Sequence, residues 1–490
     1  MKKHSHFKHS RFILITLLLI FLFSFGLRYF LINDSIFHFD SVVLANAVRR
    51  TLSESKLYHD HSYSYLNVLI NVKLVQVLSV LGISDIELAL KLNTILFGSL
   101  SCVFMFLFAR EFLKSLQAGI FAALLLSVNP VFLSVTTFPL NHALALLFVL
   151  VSYYLFILSM KKSNMFLAIF SAMSFILSLL IRLDYVFFLV PLLIEYTHST
   201  LSRKKNRKKL VLQFLSFMFF ISIGTAAILF FQYPVIAGTS EYNYLNVTRL
   251  GIIRGLLYLF ISMTPLGVAI SLFGLVYHLL IKRYYTSFLY FTSAIIPFMY
   301  YSNVASSKPR FFLPVIVPLL LFNAISCNRL YKQSKKYGAV FFIALFLLSI
   351  VSIYPILSFR HSYSSAKEFA GFINKTTETD SVLILYSDDE ALMQTYTIRE
   401  FIPYPDRKSS KETDIFLAKI NESLQNNQSV YLSETAFILD SAYHRERTFN
   451  DLSQVYELIP VGTVLWENPH ASSVISEKFN VTLMKIEPKN

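Results

Sequence analysis

Residues 141–184 read NHALALLFVLVSYYLFILSMKKSNMFLAIFSAMSFILSLLIRLD. Two apolar runs, 141–160 and 164–181, flank the basic pair Lys161-Lys162 and end at Arg182-Leu183-Asp184. A helix needs about 20 apolar residues to cross the hydrocarbon core of a bilayer, and there only a helix or a closed barrel satisfies its own backbone. The stretch therefore reads as two membrane spans joined by a short basic turn, with an acid on the opposite side.

The same alternation extends in both directions. Eleven apolar runs lie near 11–31, 88–109, 117–136, 141–160, 164–181, 184–200, 210–232, 253–281, 285–302, 311–327 and 338–357. The fifth and sixth are separated only by Arg182-Leu183-Asp184, so one broken feature is also open. The first run follows Lys2, Lys3, Lys8 and Arg11, as a signal peptide would. Its apolar stretch is about twenty residues and no small-residue cleavage site follows, so it reads as a retained helix.

With the N-terminus in the cytoplasm, every strong basic cluster falls inside: Lys2 to Arg11, Arg110 to Lys114, Lys161-Lys162, Arg203 to Lys209, Lys282-Arg283 and Arg329 to Lys336. That is the positive-inside pattern. Asp34, Asp40, Glu54, Asp60, Asp85, Glu87, Asp184 and Glu241 fall outside. Eleven spans also place everything from Arg360 onward outside.

Composition agrees with a membrane chain. Of 490 residues 55% are hydrophobic and 15% charged, against about 25% charged in a soluble domain. Residues 1–359 carry a net charge of +21 and residues 360–490 one of −6. The chain thus reads as a membrane module, 1–359, followed by a soluble domain, 360–490. A net charge of +15 would point to nucleic acid in a soluble protein, but here the bases sit in clusters between apolar runs, so no nucleic-acid partner is expected. Cys102 and Cys327 lie inside apolar runs, and neither a disulfide framework nor a zinc site can be built from them.

Between the first two runs, Val43, Leu44, Ala47, Val48 and Leu52 recur at helical spacing behind Asp40-Ser41, with Arg49 and Arg50 on the polar side. Residues 65–81 are apolar but interrupted by Asn71, Lys73 and Gln76. Both segments read as helices lying in the outer interface. The tail combines a helical start, Ala366 to Asn374, with strand-like runs at Val382 to Tyr386, Ser429 to Leu432 and Val481 to Ile486, a small α/β domain. No internal repeat marks an inverted-repeat transporter.

Ionisable groups near the membrane are costly and so are candidate site residues. Asp40, between aromatic residues just past the first span, either caps the helix behind it or acts as a base. Arg182 and Asp184 either pair with one another in a turn or serve a site. Lys308 and Arg310 at the start of the tenth run, and Arg249 and Arg254 before the eighth, run against the positive-inside trend. Outward bases of this kind suit a phosphate head group, which Arg and Lys bind by charge-assisted hydrogen bonds; snorkelling to anionic lipid is the plainer reading. His59 and His61 alternate on an irregular loop, where a metal pair or an ordinary surface is open. Asp388-Asp389-Glu390 reads as a helix start. No Walker loop, GxGxxG or GxSxG occurs, and no ligand motif supports a divalent metal, so no cofactor is assigned.

Four stretches carry a family resemblance: FHFDSVVLANAVRR (37–50), NPVFLSVTTFPLNHALALLFVLVSYYLF (129–156), RLDYVFFLVPLLI (182–194) and KPRFFLPVIVPLLLF (308–322). In this order and spacing they resemble the GT-C glycosyltransferases that use polyprenyl-phosphate-linked sugars, in particular bacterial relatives of protein mannosyltransferases and aminoarabinose transferases. The resemblance covers most of residues 11–359. It implies a mostly α, polytopic bundle of about a dozen membrane helices with interfacial helices in the first outer loop and often a soluble outer domain, which agrees with the reading above of about eleven spans, N-in and C-out, in the cytoplasmic membrane. By that resemblance Asp40 is the general base. Arg310, Lys308 or Arg182 stabilise the leaving phosphate, and Arg249 and Arg254 are further phosphate-binding candidates. The implied partners are a polyprenyl-phosphate sugar, membrane lipid, and a lipid, glycan or protein acceptor. The chain departs from the family pattern in having Asp40-Ser41 where Asp-Glu is common, His59 to Tyr63 where a proline-rich turn is common, and Asn141-His142 in place of an acid. A transporter or flippase of lipid-linked glycans is the competing reading; it would place charged or polar residues deep within several spans, where Lys91, Glu195 and a few Asn and Gln residues are the exceptions here and most ionisable groups crowd the outer end.

Overall fold

The computed structural model describes residues 2–32, 39–58, 65–202, 207–238, 249–280, 284–303, 309–362, 365–386, 393, 397, 399–404, 410–434, 452–467 and 478–489. The chain divides into two compact units. One comprises Met1–Ile32, Ala47–Phe359 and Ser472–Val474; the other comprises Asn33–Asn46, Arg360–Ala471 and Ile475–Asn490.

The first unit is helical. Helix α1 spans Lys2–Phe30, α2 Phe39–Glu54, α3 Tyr65–Val80, α4 Ile86–Leu113, α5 Leu116–Ser127, α6 Pro130–Val135, α7 Asn141–Lys162 and α8 Met165–Ile181. It continues with α9 (Leu189–Ser202), α10 (Arg207–Gly238), α11 (Arg249–Leu280), α12 (Tyr284–Asn303), α13 (Leu313–Gln333) and α14 (Lys335–Ser362). In their described residues the eleven apolar runs are helical, two of them interrupted. Among the described residues seven segments are long and apolar enough to cross a membrane: Arg11–Phe30, Ile86–Leu113, Asn141–Lys162, Lys208–Ala226, Gly251–Tyr277, Arg310–Gln333 and Lys335–Ser352.

Local chemistry sets the ends. Asp85, Ser115 and Asn164 cap α4, α5 and α8 through their side-chain oxygens, each satisfying backbone N–H groups that a helix start leaves open. Lys114 and Ser163 adopt left-handed backbone (φ 49° and 50°) where α4 and α7 stop. At these turns Glu111 is held by Lys161 at 2.7 Å and by Arg110 at 2.5 Å. The acid among the bases is therefore neutralised on the spot.

The run 117–136 is broken at Val128-Asn129. Pro130 occupies the first turn of α6, and the Asn129 side chain accepts a hydrogen bond from the Phe132 N–H at 3.0 Å. Helix α11 is broken too: Thr264, ahead of Pro265, has φ 61° and ψ 153°. Proline bars helical geometry from the residue before it, and the positive φ taken instead is a strained one for a β-branched side chain. The two breaks meet, because Asn129 Nδ2 donates to the Ser262 carbonyl at 2.7 Å. One side chain thus caps one broken helix and satisfies the other.

Helix α3 differs from a purely interfacial helix in what its polar residues do. Lys73 and Gln76 are exposed, but Asn67 and Asn71 are buried, and Asn93 of α4 donates to Asn71 Oδ1 at 3.2 Å. Polarity that looks like a water-facing side from sequence is here an interhelical bond.

The second unit holds helices α15 (Ser365–Thr376) and α16 (Ser410–Gln425) and strands β1 (Val382–Tyr386), β2 (Glu400–Tyr404), β3 (Val430–Ser433), β4 (Tyr456–Glu467) and β5 (Lys478–Pro488). The sheet order is β2-β1-β3-β5-β4. β1 runs parallel to β2 and β3, while β5 is antiparallel to β3 and β4. Val382, Ile384, Phe416, Ile420, Val430 and Ile486 lie in its core. β2 and β4 contain Pro403 and Pro460, which is tolerated because both are edge strands and Pro460 adjoins a register shift. At that shift Gly462 has no side chain, and a Cβ there would stand 3.0 Å from the Phe372 ring of α15. Asp388-Asp389-Glu390 lies outside the described residues.

Candidate functional site

The site in the helical unit forms where α7 and α13 begin and α8 and α12 finish. Helix α8 stops at Arg182, whose extended backbone (φ −147°, ψ 107°) turns the chain into a 3-10 segment, Leu183–Phe188. This places Arg182 and Asp184 side by side. Arg182 Nε donates to Asp184 Oδ1 at 3.0 Å and Nη2 to Oδ2 at 2.9 Å, a two-pronged ion pair. Nη1 donates to Asn141 Oδ1 at 2.8 Å. The Tyr301 hydroxyl lies 3.1 Å from the Asp184 carbonyl and 3.3 Å from Oδ2, able to donate to either. The self-paired reading of Arg182-Leu183-Asp184 is thus the geometry found, extended by Asn141 and Tyr301.

Phe311 joins this pair to Arg310. The guanidinium carbons of Arg182 and Arg310 each lie 5.4 Å from its ring centre, within cation–π range. Tyr301 stacks on the same ring with an interplanar angle of 11°, and His142 meets it edge-on at 6.0 Å. His142 is buried, with Nδ1 3.3 Å from the Tyr185 hydroxyl. Two of the sequence-predicted cations therefore converge on one aromatic ring, in a setting that holds guanidinium planes rigid. Such a pair can bind an oxyanion and stabilise added charge on it.

Arg254 lies beside this cluster: its Nη2 donates at 3.2 Å to the carbonyl of Ser302, the residue after Tyr301. Arg249 opens α11, one turn earlier, and its side chain lies outside the described residues, as do Lys308, His59 and His61. Asp40 sits in the first turn of α2, half-buried, in the other compact unit. Asp40 thus lies within the described part of α2, which begins at Phe39, and not ahead of the helix as a cap. The adjacent Ser41 Oγ is buried and has no hydrogen-bond partner among the described residues. No group of three or more metal-ligating side chains occurs among the described residues.

Asn141, Tyr301 and Phe311 were not predicted as site residues. Asn141 stood out only as a departure from the family pattern, and the two aromatics look like ordinary span ends. Because Arg182 and Asp184 satisfy one another, replacing Asp184 by Asn should lower thermal stability of the detergent-purified chain by about 2 kcal/mol, the scale of a charged hydrogen bond. Asn141→Ala leaves the ion pair intact and should cost about 1 kcal/mol. Equal shifts for the two variants in a thermal unfolding assay would argue against the pair as the local anchor.

Residues 54–271, just under half of the chain, match the family described as oligosaccharyl transferase STT3, N-terminal. No curated protein matches by sequence. Among solved structures, the chain is similar to ArnT from Cupriavidus metallidurans bound to undecaprenyl phosphate, with a TM-score of 0.60 and 11% identity over 98% of both chains. It is also similar to the Archaeoglobus fulgidus oligosaccharyltransferase AglB in complex with an inhibitory peptide and a dolichol-phosphate, with a TM-score of 0.61 and 13% identity, covering 96% of this chain and 74% of that one. A third match is the A. fulgidus oligosaccharyltransferase tethered with an acceptor peptide, with a TM-score of 0.55 and 13% identity over 86% and 69%. The chain has the GT-C fold of these polytopic membrane proteins.

Proposed function

We propose that this GT-C-fold chain is a multi-pass glycosyltransferase that moves a sugar from a polyprenyl-phosphate carrier to an acceptor hydroxyl or amine of the cell envelope. The observation that carries the reading is the convergence of Arg182 and Arg310 on Phe311, in a fold whose solved examples include one bound to undecaprenyl phosphate and one to dolichol-phosphate. The distribution of basic clusters supports a reaction at the outer face of the cytoplasmic membrane, with residues 360–490 as an extracytoplasmic domain.

In this reaction Asp40 takes the proton of the acceptor as its oxygen or nitrogen bonds to the anomeric carbon. The bond from that carbon to the phosphate oxygen breaks, and the electron pair stays on the phosphate. A phosphodiester with one negative charge becomes a phosphate monoester with two. Cations at the phosphate therefore bind the transition state more tightly than the ground state, which is what accelerates a reaction. Arg310 and Arg182 fill that role, with Arg254, Arg249 and Lys308 contributing to the positive field. The leaving group needs no protonation at neutral pH, so one base and a cationic clamp suffice.

Deleting the gene and profiling envelope glycans by mass spectrometry tests this reading. One glycoform should lose a single sugar while its lipid-linked donor accumulates on the outer leaflet. Accumulation of that donor on the cytoplasmic leaflet would instead favour a transporter of lipid-linked glycans.

A further inference from the structure

Helix α1 carries one cation near its end, Arg28, and that side chain is completely buried. Nε donates to Thr136 Oγ1 at 2.7 Å, Nη1 to the Ser24 carbonyl at 3.1 Å and to Ser24 Oγ at 2.6 Å, and Nη2 lies 3.9 Å from Cys102 Sγ. The guanidinium stands 5.0 Å from the Phe132 ring centre. Among the described residues no carboxylate contacts it. Gly98 makes the room: a Cβ there would stand 2.8 Å from Arg28 Nε and 2.9 Å from Thr136 Cβ.

Arg28 is not needed to satisfy its neighbours. The Thr136 hydroxyl donates to the Phe132 carbonyl at 2.7 Å, and the Ser24 hydroxyl donates to Cys102 Sγ at 3.3 Å. A neutral side chain of similar volume would leave no orphaned donor, and burying a charge without a counter-charge is expensive. What only arginine supplies is the charge itself.

That charge lies level with the site. Ser101, adjacent to Cys102 on α4, donates to the Ala143 carbonyl at 3.4 Å, two residues past Asn141, which receives the Arg182 bond. Thr136 is five residues before Asn141 on the same buried segment. We infer that Arg28 is a positioning residue for the anion: it supplies, level with the Arg182–Arg310 site, a positive charge that no carboxylate contacts among the described residues, and it strengthens phosphate binding there without touching the ligand. The inference rests on the proposed function.

At an effective dielectric near 20, any two unit charges roughly 15–20 Å apart interact by about 1 kcal/mol, roughly a four- to sevenfold effect on affinity, so even a charge out of contact with the ligand has a measurable effect. The test measures binding of undecaprenyl phosphate and of neutral undecaprenol to the full chain in zwitterionic nanodiscs. Arg28→Met should weaken phosphate binding about fivefold and leave undecaprenol binding and thermal stability unchanged. Arg28→Lys should restore most of the phosphate affinity. If the methionine form does not accumulate, Arg28→Gln provides the same comparison. Phosphate affinity within twofold of wild type in the neutral variant overturns the inference, as does an equal loss for both lipids, which marks a purely structural pin. A wild-type chain that binds neither lipid removes the proposed function and this inference with it.

Discussion

Asp40→Asn is expected to reduce sugar transfer by about 10²–10⁴-fold, the contribution of a general base. Membrane abundance, thermal unfolding and binding of undecaprenyl phosphate should stay close to wild-type values. The substitution discriminates because asparagine keeps the shape and gives up only the helix-dipole interaction of a first-turn acid, about 0.3–1 kcal/mol. If Asp40 only supports α2, the variant should be active. If it accepts the acceptor's proton, the variant keeps the carrier and fails at transfer. Complementing a deletion strain with each form and comparing envelope glycans at equal abundance reads the difference directly. Restoration of the missing sugar by Asp40→Asn would return the residue to a structural role.

Much of the helical architecture is legible in the sequence because the bilayer is an undemanding solvent to read. Each apolar run must become helical, and the described residues of the eleven do so, apart from the breaks at Val128-Asn129 and Thr264. The two helix breaks were legible only in part. Pro130 and Pro265 are visible in the sequence, but that Asn129 would bridge the breaks through Ser262 depends on packing between segments 133 residues apart. The tail shows the opposite limit. Val382 to Tyr386, Ser429 to Leu432 and Val481 to Ile486 read as strand-like and form β1, β3 and part of β5, whereas β2 and β4 carry prolines that argue against a strand until their edge positions are known.

The candidate site divides along the same line. Arg182 and Asp184 are two residues apart, so their pairing was readable as a turn. Asn141, Tyr301 and Phe311 reach Arg182 or Asp184 from three other helices or turns, and no local periodicity marks them. Arg28, a lone base at the end of an apolar run, has in sequence the look of an interfacial anchor. Its complete burial comes from Gly98 and from the non-helical stretch around Thr136. Neither feature signals a neighbour of α1 in the sequence.

Arg310→Met should lower the rate of transfer by about 10²–10³-fold, the cost of removing one group aimed at a developing oxyanion. The loss should fall on kcat rather than on donor binding, because the phosphate gains its second negative charge only as the sugar leaves. Release of the product carrier should accelerate for the same reason. Arg182→Met is expected to cost less transfer and more stability: its Nε and Nη2 are committed to Asp184 and its Nη1 to Asn141, so its removal strands a part-buried carboxylate. Arg310→Lys should recover part of the rate, since an ammonium restores the charge but not the planar fork that stacks on Phe311. Steady-state kinetics and thermal unfolding on the three variants separate these effects. A larger kcat loss for Arg182→Met than for Arg310→Met, at matched stability, would reverse the assignment. The ion pair with Asp184 would then have to open during catalysis, and Arg182 would be the residue that follows the charge onto the phosphate.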